Sequence, residues 1–234
     1  MSAIYKREMR AYFTGGTGWV FCSLFAIIMN VFYYLECLLS YKSNFISLFN
    51  YMLIILTFLV PLMTMRIWSE EKKQKIDQLL LTAPVETTEI VLGKYFAAVT
   101  VLLIALALTL PYPLLSVIYG TPEHAITIGN YIAIILAGGA YIAVSQFMAS
   151  LTESQIISAL LSLAALLFFI LTQLFFDFIP YDFVAKAAGF LSIPARFINF
   201  TKGIFSFADA FYFISLSALF IFFTARVIES RRWN

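Results

Sequence analysis

Charge is scarce in this chain. Asp, Glu, Lys and Arg make up 12% of its 234 residues, against about a quarter in soluble domains, and this excludes an ordinary soluble fold. The net charge of +2 is too small to argue for nucleic acid or an acidic substrate. His124 is the only histidine, so a helical HExxH zinc pair is impossible, and its place after Glu123 in the short loop 120–127 suits a solvated side chain. Two cysteines, Cys22 and Cys37, are present. On one helix they would stand about 22 Å apart at 1.5 Å per residue, beyond the ~7 Å Cα separation that a bridge tolerates, so no disulfide is expected. There is no GxSxG elbow and no CxxC. Gly93-Lys94 lacks the upstream glycine and the following Ser or Thr of a phosphate-cradling loop. No catalytic, metal or cofactor-binding residue is therefore assigned, and a membrane enzyme finds little support. The first apolar run begins near Trp19 and lacks the shorter core and cleavage site of a secretory signal.

What the sequence has instead is apolar length. Residues of the hydrophobic set reach 62% and mean hydropathy is +0.91. The runs between charge clusters are each about 20 residues, enough to cross a ~30 Å hydrocarbon core as a helix. Six spans are expected, at about 19–39, 45–65, 95–119, 128–151, 156–178 and 208–228. The fold class is an all-α integral membrane protein, with 1–234 as a single transmembrane domain. Of the 15 Lys and Arg, 11 fall on the side that holds both termini, and 4 (Lys42, Lys186, Arg196 and Lys202) fall on the other. This bias places the termini in the cytoplasm.

Details of the spans carry further expectations. Pro61, Pro111 and Pro113 should kink the outer ends of the second and third helices. Ala137, Gly138, Gly139, Ala140, Ala143 and Ala149 on the fourth span let helix backbones approach closely, which suits a helix packed inside the bundle. Among polar residues at membrane depth, Glu36 and Asp177 lie near the outer ends within reach of water. Asn30, Gln146 and Gln173 are expected to make interhelical hydrogen bonds rather than to hold a substrate.

Three segments outside the spans are patterned. Over 4–13, Ile4, Tyr5, Met9, Tyr12 and Phe13 take one half of a helical wheel and Lys6, Arg7 and Arg10 the other, as in a helix lying in the headgroup plane, with Glu8 off the pattern. In the cytoplasmic stretch 66–94, the spacing of Ile76, Leu79 and Leu80 predicts an amphipathic helix that Pro84 stops. That helix reads either as a surface helix lying on lipid or as a docking surface for a cytosolic partner. The outer stretch 179–206 is rich in Phe but interrupted by Pro180, Gly189, Pro194 and Gly203. It is too broken to span and reads as short amphipathic helices at the outer interface, with Phe183, Phe190, Phe197 and Phe200 packed against protein because exposing them would leave a large apolar patch.

Together these residues resemble the permease subunits of type-2 ABC transporters, in particular the subfamily named after the gliding-motility permease. The resemblance rests on Ile4-Tyr5-Lys6-Arg7-Glu8 with Tyr12-Phe13, and on Glu70-Glu71-Lys72-Lys73 followed by Leu79-Leu80-Leu81-Thr82-Ala83-Pro84-Val85 and Ile90-Val91-Leu92-Gly93-Lys94. It rests also on Lys202-Gly203-Ile204 and Arg231-Arg232-Trp233 about the last span. The chain departs from the family where many members carry Gly-Thr-x-Glu and it has Lys75-Ile76-Asp77-Gln78. The resemblance implies six helices with an N-terminal interfacial helix (Lys6, Arg7, Glu8, Arg10), a cytoplasmic coupling helix and outer re-entrant helices before the last span. It implies coupling to a cytosolic ABC ATPase through Glu70, Glu71, Lys72, Lys75, Asp77, Leu80, Thr82 and Pro84, with Thr152, Glu153 and Ser154 as a second, smaller contact. ATP and Mg would sit on the ATPase and none in this chain. A second permease copy or a paralogue, membrane lipid and an extracytoplasmic accessory protein are the other partners it allows. The location is a cytoplasmic cell membrane, bacterial by resemblance, and the direction export. A non-transporting scaffold that uses the ATPase to move an extracytoplasmic partner is the alternative.

The charge asymmetry makes a direct topological prediction. In a background without Cys22 and Cys37, His124→Cys reacts with an impermeant thiol reagent in intact cells and Lys75→Cys does not. The reverse pattern would invert the orientation.

Overall fold

The computed structural model describes residues 1–39, 46–73, 86–119, 124–176, 191–204 and 206–232. Among them the regular structure is helical, with no strand. Nine helices follow in order: α1 (Ser2–Thr14), α2 (Thr17–Tyr33, continued by a wider π-helical turn Tyr34–Leu38), α3 (Ile46–Lys73), α4 (Thr87–Ala107), α5 (Pro111–Tyr119), α6 (His124–Leu151), α7 (Gln155–Phe176), α8 (Ile193–Thr201) and α9 (Phe207–Arg232). Among the described residues six stretches are long and apolar enough to cross a membrane: Thr17–Cys37, Ile46–Ser69, Thr87–Leu115, Ile126–Leu151, Gln155–Thr172 and Phe207–Ser230. The chain is a multi-pass membrane protein in which polar backbone is satisfied within helices, as hydrocarbon demands.

The hydrophobic pattern decides which helix lies where. In α6, 72% of the spanning window is buried, against 28% in α7 and α9, and α6 packs against α3, α4, α7, α8 and α9. The small residues make this possible: a Cβ on Gly138 would run into Leu102 Cδ2, and one on Gly139 would meet the Tyr95 hydroxyl at 2.9 Å. The expectation of an interior fourth span holds. The large apolar side chains of α2, α7 and α9, such as Ile27, Ile156, Phe168, Phe211 and Phe222, face outward, where lipid is their solvent. Cys22 and Cys37 are free thiols, both buried.

The prolines act differently from one another. α4 ends at Ala107 and Pro111 opens α5, where its missing N–H costs nothing. The turn between them is held by the Tyr131 hydroxyl, which donates to Thr109 O at 3.0 Å. Pro61 departs from expectation: it lies past the middle of α3, toward the Lys73 end rather than the outer end, and the helix continues through it. Packing of α3 against α6 and α7 keeps that helix whole despite the lost backbone donor. Asn30 also departs. It donates to Ala26 O of its own helix at 2.9 Å and is exposed, because the inward stripe of α2 is Phe21, Cys22, Phe25, Met29 and Tyr33. Gln146 does bridge helices, donating to Val91 O at 3.2 Å. Glu36 accepts from the Tyr51 hydroxyl at 3.0 Å. Gln173 lies in the last turn of α7, and Asp177 falls outside the described residues.

At the far end of the bundle α8 covers the core with Ile193, Phe197 and Phe200, all buried. Phe183 and Phe190 lie outside the described residues. Ser192 caps α8 by accepting from Ala195 N at 3.3 Å. The helix is tied to α9 through Asp209, which accepts from Arg196 Nη1 at 2.9 Å and Asn199 Nδ2 at 2.7 Å. Asp209 is buried, so a carboxylate there requires these donors.

Gly203 joins α8 to α9 with φ +75°, and a Cβ on it would meet Ile126 Cγ1 at 2.8 Å. Gly203→Ala should therefore destabilise the purified protein by about 1–3 kcal/mol, since an L side chain is disfavoured in the left-handed region and must also displace Ile126. Gly129→Ala, where a Cβ meets nothing within 4 Å, should leave the thermal unfolding temperature in detergent unchanged or raise it. Equal losses for both would contradict the packing described.

Candidate functional site

Two of the three patterned segments, 4–13 and 66–94, meet the 152–154 corner at one end of the bundle. α3 ends there at Lys73, α4 begins at Thr87, α6 ends at Leu151 and α7 begins at Gln155. The Gln146–Val91 bond ties the close of α6 to the start of α4. α1 lies against the first half of α4: Ile4 packs so close to Gly93 that a Cβ would meet Ile4 Cγ2 at 3.0 Å. The Tyr5 and Thr100 hydroxyls are 3.0 Å apart, and the Met1 ammonium is 3.1 Å from Glu89.

At the centre of this junction sits Lys94, 1% exposed. A buried ammonium costs several kcal/mol unless it is paired and hydrogen-bonded. Its Nζ donates to Ile67 O on α3 at 2.8 Å, lies 4.5 Å from the centroid of the Trp68 ring, and is 3.5 Å from Glu8 Oε1 on α1. Glu8, 8% exposed, also accepts from Arg7 Nη2 at 2.7 Å. One turn on, Tyr12 is buried and its hydroxyl has no hydrogen-bond partner. Burial, and then the Glu8 charge, push its phenol well above the ordinary range, so it stays protonated. One ammonium thus joins three helices, and two of them, α3 and α4, flank the segment 74–85.

The expected residues distribute as follows. Lys6, Arg7 and Arg10 are exposed on the outer face of α1. The apolar half of that helix, expected to meet lipid, packs on α4 with Ile4 and Tyr5, and Glu8 is on this buried side. Glu70, Glu71 and Lys72 belong to the last turns of α3, which is one continuous helix from the span to Lys73. The amphipathic helix expected from 70 onward thus begins as the extension of a span. At 28 residues α3 is about 42 Å long, enough to project beyond a hydrocarbon core of ~30 Å. Lys75, Asp77, Leu80, Thr82 and Pro84 lie outside the described residues. Thr152, Glu153 and Ser154 form a tight corner at the same end: Ser154 N donates to Thr152 Oγ1 at 3.2 Å, with Glu153 and Ser154 exposed.

Sequence reasoning missed the role of Lys94, counted as a boundary charge that starts the third span at 95. The helix begins eight residues earlier, at Thr87, because the charge is neutralised internally. A signal was present: Glu8 is four residues from both Ile4 and Tyr12, and Lys94 sits among Ile90, Ala97, Ala98 and Val101. Opposite charges on two apolar stripes are candidates for one pair. Asp209 was likewise missed, and so was Asn130 of α6, which is 1% exposed with neither amide atom bonded. Among the described residues no group of three His, Cys, Asp or Glu could hold a metal ion.

A double-mutant cycle tests the junction. Lys94→Met should destabilise the purified protein by about 1–3 kcal/mol through the lost charge-assisted bonds to the buried Glu8 and the Ile67 carbonyl. The double variant with Glu8→Gln should be less destabilised than the sum of the two singles, by about 0.5–3 kcal/mol. Strict additivity in thermal unfolding would mean that the two charges are not coupled.

No protein-family model matches the chain, and a search of the curated proteins finds no match.

Proposed function

We propose that the chain is the membrane-spanning permease subunit of an ABC transporter, working in export, in which a separate cytosolic ATPase drives substrate across a bacterial cytoplasmic membrane. Both termini face the cytoplasm. Two permease chains, identical or paralogous, pair with two ATPase subunits, and ATP and Mg reside on the latter. The segment from Glu70 through Lys75, Asp77, Leu80, Thr82 and Pro84 is the coupling helix and the main docking surface, and the Thr152–Glu153–Ser154 corner is the smaller one. Helix α1 lies in the inner headgroup plane, and α8 belongs to a re-entrant element at the outer mouth.

The observation that carries this reading is the meeting of the family-like segments. Glu8 of the Lys-Arg-Glu segment and Lys94 of the Ile-Val-Leu-Gly-Lys segment are 3.5 Å apart, at the end of the bundle that also holds the 152–154 corner. A docking segment does its work only if both of its flanking helices move with it. The buried ammonium of Lys94 supplies such rigidity by tying α3 to α4 at the roots of the segment. The outward apolar faces suit a chain that meets lipid and a second permease.

Exposed ion pairs contribute roughly 0–1 kcal/mol each, so neutralising Lys72 alone should leave complex formation intact. Reversing Glu70, Glu71 and Asp77 together should abolish association with the ATPase, or ATP-driven activity, while the spans still insert. A triple variant that binds and transports at the parental rate would assign the segment to the lipid surface instead.

A further inference from the structure

We infer that Glu8 and Lys94 are positioning residues that make α1 a driven element, a lever that follows the connection between α3 and α4. The inference rests on the docking reading above and adds a second moving part to it.

The argument is one of alternatives. Lys94 Nζ is bonded to Ile67 O on α3 and paired with Glu8 on α1, with the ammonium itself fully buried. Displacing the roots of the docking segment must then either separate a buried ammonium from its partners or carry α1 along. The first is costly because each group left behind is charged or polar and buried. The second keeps those pairs intact, and the face of α1 that carries Lys6, Arg10 and Ala11 is exposed. A pivot is also present. α1 ends at Thr14, Gly15 follows as its cap, and Gly16 takes φ +79° before α2 begins, a left-handed turn that glycine adopts without strain. On the lever side of this pivot, Ile4 against Gly93 and Tyr5 beside Thr100 keep α1 in register with α4. The pair Glu8–Lys94 lies between this pivot and the Met1–Glu89 contact, so a push on α4 or α3 turns into rotation of α1.

The test uses the assembled transporter in inside-out membrane vesicles, with Cys22 and Cys37 replaced by Ala and a fluorophore on Ala3→Cys. Two quantities are read, ATP hydrolysis by the complex and the change in quenching of the label by aqueous iodide when ATP and vanadate are added. Glu8→Gln keeps shape and volume and leaves the Lys94 bond to Ile67 O in place, so it should retain the bound ATPase and its hydrolysis while reducing the ATP-dependent change at position 3 by about threefold or more, a shift of the size that coupling residues produce. Lys94→Met removes the α3–α4 tie as well and should shift the label in the same direction. Transport per ATP hydrolysed should fall in both. An unaltered label response in both variants would overturn the lever. A parental chain that carries no ATPase activity would overturn the docking reading, and the lever with it, and would be recognised by the absence of hydrolysis before any variant is compared.

Discussion

The buried ammonium of Lys94 is the constraint on which the rest of this end of the molecule depends. A cation 1% exposed within an apolar bundle requires a counter-charge, and Glu8, 3.5 Å away, belongs to a helix outside the spans. Satisfying it fixes where α1 lies, which of its faces is covered, and how α3 and α4 are spaced where the chain leaves the bundle. Trp68 adds its ring face to the same cation.

The opposite end obeys the same rule with different residues. Asp209 is buried and is satisfied by Arg196 and Asn199 of α8. In both places a short helix outside the spans is fastened by one charged group that the bundle could not otherwise hold. Between them α6 forms an axis of small residues, with Gly138 against Leu102 and Gly139 against Tyr95. Such close packing resists compression, so deformation is directed to the two fastened ends. A permease that converts the tilt of a cytosolic partner into movement at the outer face would use this arrangement: a stiff middle with ion-paired ends.

The six spans were legible because hydrocarbon imposes a length and a composition on every crossing helix. The interior placement of α6 was legible from its glycines and alanines. Phe197 and Phe200 were expected to be covered and are. What escaped were features set by partners distant in sequence. Lys94 marks a boundary if charges stay in water, and the start of α4 at Thr87 is visible only once Glu8 is known to reach it. Asn30 looked like an interhelical donor, but a side chain that can bond back to its own helix is indifferent to which way it faces. Pro61 is accommodated because the neighbours of α3 hold it, a property of packing that no local rule contains. In the candidate site the segments themselves were legible as motifs, while their convergence on one ammonium was not.

Docking of the segment that follows α3 on a cytosolic ATPase is tested most directly by placing a photo-crosslinking amino acid at Lys75, irradiating intact cells, and identifying the adduct by mass spectrometry. The expected result is a single dominant protein adduct to a chain carrying a phosphate-cradling nucleotide loop. Adducts to phospholipid alone would contradict it and leave the segment lying on the membrane surface.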